Sequence, residues 1–191
     1  MKHIKLFENF DIKSEFENNM MFWHGGDLDH YDDLISHKNG RYEYGPGLYL
    51  TTHYDTAKKY AKGSRKLYLI SVEAGNDINK SILDINNVKE FIINNVIKNK
   101  QIDILKRIEK YNNDNTIKAF IFNNILINEK ALSPKNTKNL RQFLIDNDID
   151  YEMVDNPFGW HEKMLVLYNM NKIKNIKQIK SNDKIDKYDL Y

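Results

Sequence analysis

The sequence predicts an α+β domain built on a largely antiparallel sheet. Strand-like segments come first along the chain, helical patterns follow, and strand-like segments return near the end. Strands that alternated with helices would instead indicate a parallel sheet. The length of 191 residues and the hydrophobic fraction of 41% suit a single core. We therefore expect an N-terminal arm at 1–19, one folded domain at 20–180 and a charged tail at 181–191.

The first half of the domain carries three predicted strands. Residues 20–24 form an apolar run that ends at a Gly-Gly pair. Residues 48–51 follow a Gly-Pro-Gly turn, and residues 66–73 alternate in polarity. Helical spacing predicts a helix at 27–38 between the first two strands, and a short helix that runs through Tyr60 between the second and the third.

The second half combines helices with two further strands. Apolar residues recur at helical spacing in the middle of the chain, where we predict a helical insert at about 87–147. Strand composition marks residues 150–154 and, most strongly, 162–169. The predicted helices of the insert cover residues 87–110, 115–130 and 137–147.

Composition excludes several classes of function. The net charge is +2, so no strong field attracts nucleic acid or a membrane surface. The chain has no cysteine, which rules out disulfides and thiol nucleophiles. It has neither a phosphate-binding loop nor a G-x-G-x-x-G motif, and its histidines lack metal-site spacing, so we expect no metal. Without a long apolar run or a secretory signal, we expect a cytoplasmic protein.

Three short segments bring polar groups to the ends of predicted strands. They are His24-Gly25-Gly26, the run from Gly45 to Thr51 that Tyr60 follows, and Trp160-His161-Glu162. Each segment also has a purely structural interpretation. The histidine and the tyrosines suit a core, the glycines suit a hairpin turn, and the glutamate suits an exposed strand edge.

Taken together, the three segments resemble the NAD-binding signature of the ADP-ribosyltransferase superfamily, in the His–Tyr–Glu branch that includes diphtheria toxin and the poly(ADP-ribose) polymerases. In that branch one strand carries His-Gly, which matches His24, and a second carries Gly-x-Gly-(Ile/Leu)-Tyr, which matches Tyr49. A second tyrosine follows eleven positions on, as Tyr60 does here, and a late glutamate precedes an apolar strand, as Glu162 does. The resemblance implies a split antiparallel β-sandwich around an NAD cleft, with a helical insert.

The resemblance also implies an activity and a set of roles. An enzyme of this kind cleaves the nicotinamide–ribose bond of NAD and transfers ADP-ribose to a macromolecular acceptor, which is a protein or a nucleic acid. NAD is then a substrate, and no metal takes part. Glu162 would bind the 2′-hydroxyl of the nicotinamide ribose and stabilise the oxocarbenium ion, with His24 and Tyr49 as its catalytic partners. The residues expected to bind NAD are His24, Gly25, Tyr49, Thr51 and Tyr60.

The loop before the glutamate is the expected acceptor site, with Phe158, Trp160 and His161 as its residues. Enzymes of the superfamily that modify arginine tend to carry a glutamate two positions before the catalytic one, where this chain has Trp160. Arginine is therefore not the expected acceptor. The two aromatic side chains suit stacking on a base or on an aromatic group, and they equally suit anchoring of the loop.

Two other interpretations stay open at this point. The domain would also suit a module that binds NAD or nucleic acid without catalysis. The arm MKHIKLFENF resembles the N-termini of proteins from tailed phages, some of which are packaged in the capsid and cleaved after a Leu-x-Glu sequence, which Leu6-Phe7-Glu8 matches. A phage-encoded effector enzyme, acting as a toxin in the cytoplasm of a host cell, would combine this interpretation with the first.

Overall fold

A computed structural model of the chain describes residues 19–28, 43–64, 66–157, 161–180 and 190. These residues form a mixed α/β fold with an antiparallel sheet of six strands, a second sheet of two strands and five α-helices. The predicted α+β class with an antiparallel sheet is confirmed. Most of the predicted arm and tail, and the predicted helix at 27–38 beyond Leu28, lie outside the described residues.

The described chain has eight strands, and five of them lie where strands were predicted. The eight strands are β1 (Asn19–Gly25), β2 (Leu48–Thr51), β3 (Lys66–Glu73), β4 (Ile82–Asp84), β5 (Thr116–Lys118), β6 (Tyr151–Asp155), β7 (Lys163–Leu167) and β8 (Ile173–Lys180). The helices are α1 (Tyr54–Tyr60), α2 (Ile85–Asn95), α3 (Gln101–Lys110), α4 (Ala119–Asn128) and α5 (Pro134–Asp146). Single turns of 3₁₀-helix occupy Lys98–Lys100 and Met170–Lys172.

The six-stranded sheet consists of two halves that are weakly joined. Its strand order is β6-β7-β2-β1-β3-β8, and every pairing is antiparallel. The pairing of β1 with β3 extends along the whole of β1, and that of β2 with β7 along the whole of β2. In the described chain β1 meets β2 at one register pair, Trp23 with Thr51. Backbone pairing between the halves β8-β3-β1 and β2-β7-β6 is therefore confined to this pair within the described chain.

Helices pack on the same face of both halves. Directly paired residues point to one face, so Trp23, Thr51 and Met164 share a face of the sheet. On the first half, α1 covers this face through Tyr54 and Ala57, in a cluster that includes Trp23. On the second half, Met164 packs with the apolar residues of α2, α3, α4 and α5. The division of the sheet thus lies between the part that α1 covers and the part that the helical insert covers.

The helical insert differs from the prediction in its detail. The expected helix at 87–110 is two helices, because the chain leaves the helical conformation at Val96 and resumes it at Gln101. The first helix begins at Ile85 because the side chain of Asp84 accepts hydrogen bonds from the N–H groups of the first turn. The predicted helix at 115–130 begins only at Ala119, because residues 116–118 form β5 and pair with β4 just before the insert. The sequence did not predict this pair.

Candidate active site

A cavity of about 540 Å³ lies between the two half-sheets. Its volume lies within the range of about 300–1,000 Å³ that is usual for small-molecule sites. The lining residues come from β1, β2, α1, β7 and the turn before β2. They are Trp23, His24, Gly25, Glu43, Tyr44, Tyr49, Leu50, Thr51, Thr56, Ala57, Tyr60 and Met164.

Because the pairing of β1 with β2 ends at Trp23, backbone groups of the next residues point into this cavity. The N–H of Gly26 donates to the carbonyl of Lys66 on β3, over 3.1 Å. Successive residues of an antiparallel strand bond to opposite neighbours, so the N–H and C=O of Gly25 point toward β2. The pairing of β1 with β2 does not extend past Trp23. The peptide groups of Gly25 therefore face the cavity, as the expected contact with the nicotinamide amide requires.

Close packing adds a second reason for glycine at position 25. A Cβ atom there would lie 1.7 Å from the carbonyl oxygen of Ala57 and 2.8 Å from the nitrogen of Ala61. These distances are far inside van der Waals contact, so any side chain at this position would displace α1. Gly25 thus allows α1 to form one wall of the cavity.

His24 connects the two halves where their backbone pairing stops. Its Nδ1 donates a hydrogen bond to the carbonyl oxygen of Tyr49 on β2, over 2.9 Å. A carbonyl oxygen accepts only, so Nδ1 carries the proton and Nε2 presents a lone pair. Burial lowers the pKa of His24, which favours this neutral form. Nε2 is buried and has no hydrogen-bond partner within the described chain, which leaves an unsatisfied acceptor on a residue that lines the cavity.

The two predicted tyrosines line the cavity in different ways. The hydroxyl of Tyr49 donates to the carbonyl of Gly45 over 2.9 Å and accepts from the N–H of Tyr44 over 3.2 Å. These bonds fix the ring of Tyr49 against the wall. Tyr60 lies in the last turn of α1 and is 63% exposed, so its ring stands at the rim. The ring of Tyr49 is thus held in place, and the ring of Tyr60 is accessible from solvent.

Glu162 lies immediately behind the wall that Thr51 forms. The hydroxyl of Thr51 donates to Oε1 of Glu162 over 2.5 Å, and the carboxylate is only 2% exposed. Glu162 precedes Met164 by two positions, so the two side chains share a face, and Met164 lines the cavity. The carboxylate itself is not among the described lining residues. Its contact with the cavity wall is the hydrogen bond that Thr51 donates.

The loop between β6 and β7 closes on its own backbone beside Glu162. The N–H of Asn156 donates to the carbonyl of Glu162 over 2.7 Å, and the N–H of His161 donates to Oδ1 of Asn156 over 2.9 Å. Both Asn156 and His161 adopt positive φ, at 53° and 64°. His161 is exposed, as an acceptor-side residue would be. Phe158 and Trp160 lie outside the described residues.

A buried polar cluster behind Tyr49 was not predicted. The hydroxyl of Tyr168 lies 3.1 Å from Oε2 of Glu152 and 3.2 Å from the carbonyl of Tyr44. The amide nitrogen of Asn123 donates to the same two acceptors, over 3.4 Å and 3.0 Å. Burial raises the pKa of Glu152 to about 7. The one sequence signal for this cluster was Asn123, a polar residue in the largely apolar helix α4.

His53 also lies beside the site and was not among the predicted site residues. Its Nδ1 lies 3.8 Å from Oε2 of Glu162, within the distance of an ion pair, and its N–H donates to Oγ1 of Thr51 over 3.0 Å. Thr51 therefore bonds to both residues. A histidine directly after the Thr51-Thr52 pair would have been a candidate had the position of Glu162 been known.

No three or more of the His, Asp and Glu side chains in the described chain form a group that could hold a metal ion. None of the helices in these ranges has the length and apolar character needed to cross a bilayer. Comparisons of the chain with protein-family models, with curated proteins and with solved structures found no match.

Proposed function

We propose that the protein is an NAD-dependent ADP-ribosyltransferase that acts on a protein or a nucleic acid. One observation carries the proposal. His24, Tyr49 and Tyr60 are distant in the sequence, yet all three line a single cavity, and Glu162 is bonded to its wall through Thr51. Each of them had a structural interpretation when taken alone. Their convergence on one cavity between two half-sheets favours a shared role.

The chemistry of NAD cleavage suits a fixed, buried carboxylate. When nicotinamide leaves, positive charge develops on the ribose, as it does in glycoside hydrolysis. Glu162 is held by Thr51 and nearly excluded from solvent. A charge that is already oriented in a dry site stabilises a developing cation without reorganisation. Binding of the ribose 2′-hydroxyl would use the same carboxylate.

The remaining groups match other parts of NAD. The unpaired Nε2 of His24 would accept a hydrogen bond from a hydroxyl of the adenosine ribose. The N–H and C=O of Gly25 would pair with the nicotinamide carboxamide. The rings of Tyr49 and Tyr60 would enclose the flat nicotinamide, a contact that uses aromatic faces.

The fold supports the same proposal at a coarser level. A split sandwich around an NAD cleft requires that two half-sheets separate and leave a groove between them. The single register pair between β1 and β2 provides such a separation. NAD would lie across the gap and contact both halves, with Gly25 on one side and Tyr49 on the other.

Release of nicotinamide from NAD tests the proposal directly. The purified full-length protein is incubated with labelled NAD, alone and with a cell extract, and nicotinamide release and transferred label are both measured. Label that survives protease but not nuclease identifies a nucleic-acid acceptor, and the reverse identifies a protein. Glu162→Gln should lower nicotinamide release by about 10²–10³-fold, because the uncharged amide no longer stabilises the cation.

The control is Asp55→Asn, which removes an exposed carboxylate near the start of α1 and should leave the rate unchanged. Glutamine still accepts the hydrogen bond from Thr51, so the variant should fold. The proposal fails if wild-type protein releases no nicotinamide, or if Glu162→Gln releases it as fast as wild type. Saturable NAD binding without release would indicate a binding module instead.

A further inference from the structure

We propose that His53 is the base that removes the proton from the incoming acceptor, an inference that rests on the proposed transfer of ADP-ribose. The starting observation is that the two oxygens of Glu162 have different neighbours. Oε1 accepts a hydrogen bond from Thr51, whereas Oε2 faces Nδ1 of His53 at 3.8 Å. Thr51 lines the cavity and also accepts a hydrogen bond from the N–H of His53, so His53 lies beside the cavity wall, although it is not among the described lining residues.

The backbone of His53 is fixed, but its side chain takes no part in the fold of α1. The N–H donates to Thr51, and the C=O accepts the first hydrogen bond of the helix from the N–H of Ala57, over 3.2 Å. His53 is the N-cap residue, yet its side chain makes no capping hydrogen bond. Ser, Thr, Asp or Asn would serve better there if capping were the only requirement. The imidazole is thus available for another task.

The imidazole is the outer member of the pair. The side chain of His53 is 22% exposed and that of Glu162 is 2% exposed, so a molecule that arrives from solvent meets the histidine first. Within the described chain, Nε2 of His53 makes no hydrogen bond. A neutral imidazole with an open nitrogen is a suitable general base, whereas Glu162 is already engaged in stabilising the sugar cation.

The transfer step balances with His53 in this role. The bond from C1′ of the ribose to nicotinamide breaks, and its electron pair leaves with nicotinamide, which becomes neutral. A lone pair of the acceptor hydroxyl or amine forms the new bond to C1′. The proton of that group passes to Nε2 of His53, and the resulting imidazolium lies beside the carboxylate of Glu162. The carboxylate thus faces a cation before and after the sugar loses its charge. Solvent then takes the proton from the exposed edge of the ring.

An acceptor that carries no proton separates this role from a structural one. Nicotinamide release from NAD is measured with the full-length protein in buffer, where water is the acceptor, with and without sodium azide. His53→Ala should release nicotinamide about 10²-fold more slowly than wild type with water. Azide needs no base, so it should restore the rate to within about threefold of wild type and yield ADP-ribosyl azide.

Two further variants sharpen the test. His53→Asn keeps a polar group near the position of Nδ1 and favours the N-cap, but it lacks Nε2. It should be as slow as His53→Ala with water and should likewise respond to azide. Glu162→Gln should stay slow in azide, because its defect precedes capture of the sugar. Asp55→Asn again serves as the control for changes at this end of α1.

Three results would overturn the role of His53. One is a water rate for His53→Ala within about threefold of wild type. Another is a slow His53→Ala that azide does not restore, since that would mean a structural defect. The third is a fully active His53→Asn, since contact with Glu162 would then suffice. By contrast, wild-type protein that releases no nicotinamide at all would refute the proposed function itself.

Discussion

The buried carboxyl of Glu152 should make the protein less stable as the pH rises. Its pKa in the folded chain is raised to about 7 from the ordinary value of 4.5, chiefly by burial. The folded state therefore binds this proton more tightly than the unfolded state. The contribution to stability is fully present below 4.5 and is lost as the pH rises through about 7.

The size of the effect follows from the difference between the two pKa values. Each pH unit between 4.5 and about 7 lowers the free energy of unfolding by about 1.4 kcal/mol. The total is about 3 kcal/mol, and the hydrogen bond from Tyr168 to the carboxylate is already included in the pKa of about 7. Glu152→Gln has the same shape but cannot ionise. Its stability relative to wild type should therefore rise by up to about 3 kcal/mol from acid to mildly alkaline pH.

Urea unfolding of both proteins at several values between about pH 5 and about pH 8 measures this directly. The useful quantity is the difference in the free energy of unfolding between wild type and Glu152→Gln at each pH. Glu90→Gln, which changes an exposed carboxylate on α2, is the control for loss of one negative charge. The reasoning would be refuted if this difference in the free energy of unfolding stayed constant over the pH range. It would also be refuted if wild type became more stable relative to Glu152→Gln as the pH rises.

Three further substitutions test the walls of the cavity. Gly25→Ala should lower the free energy of unfolding by about 1–3 kcal/mol, measured in urea, because its Cβ would overlap the carbonyl of Ala57. Unchanged stability would contradict that packing. Thr51→Val should slow nicotinamide release by about tenfold or more, because the carboxylate of Glu162 loses its hydrogen bond, while Thr51→Ser should stay near wild type. Equal rates of nicotinamide release for Thr51→Val and Thr51→Ser would contradict a role for this hydrogen bond. Tyr49→Phe should raise KM for NAD more than it lowers kcat, because the ring loses its bonds to the turn before β2. A pure loss of kcat would show that the hydroxyl takes part in the chemistry instead.

Local sequence signals sufficed for the strands that border the site. β1 ends at the Gly-Gly pair, β2 follows the Gly-Pro-Gly turn, and β3 has the predicted bounds of 66–73. These signals are short in range, since they depend on turn residues and on runs of apolar side chains. The prediction therefore placed His24, Gly25 and Tyr49 at the ends of the correct strands.

Strand β8 was missed because its apolar residues do not alternate. Ile173, Ile176 and Ile179 are spaced by three, which looks helical rather than extended. In the sheet, the register with β3 shifts between Ser71 and Val72, and this bulge changes the face on which later residues point. A bulge depends on the partner strand, so the sequence of β8 alone does not predict it.

The residues around the site that escaped prediction act through tertiary contacts. His53 is separated from Glu162 by more than one hundred positions, and only the pairing of β2 with β7 brings them together. Glu152, Asn123 and Tyr168 come from β6, α4 and the residue after β7. Patterns within one segment report on helix or strand formation, but they carry no information about which segments meet.

The division of the sheet explains why His24 would have two roles at once. At Trp23 the two halves share backbone pairing, and one residue later the His24–Tyr49 hydrogen bond takes the place of the missing ladder. The same imidazole lines the cavity and its Nε2 has no hydrogen-bond partner within the described chain, so a ligand bonded to Nε2 would also be coupled to the contact between the halves. A ligand that binds both Gly25 and Tyr49 would add further bonds across the gap. Because a ligand stabilises the state it binds, NAD should oppose separation of the half-sheets as well as occupy the groove between them.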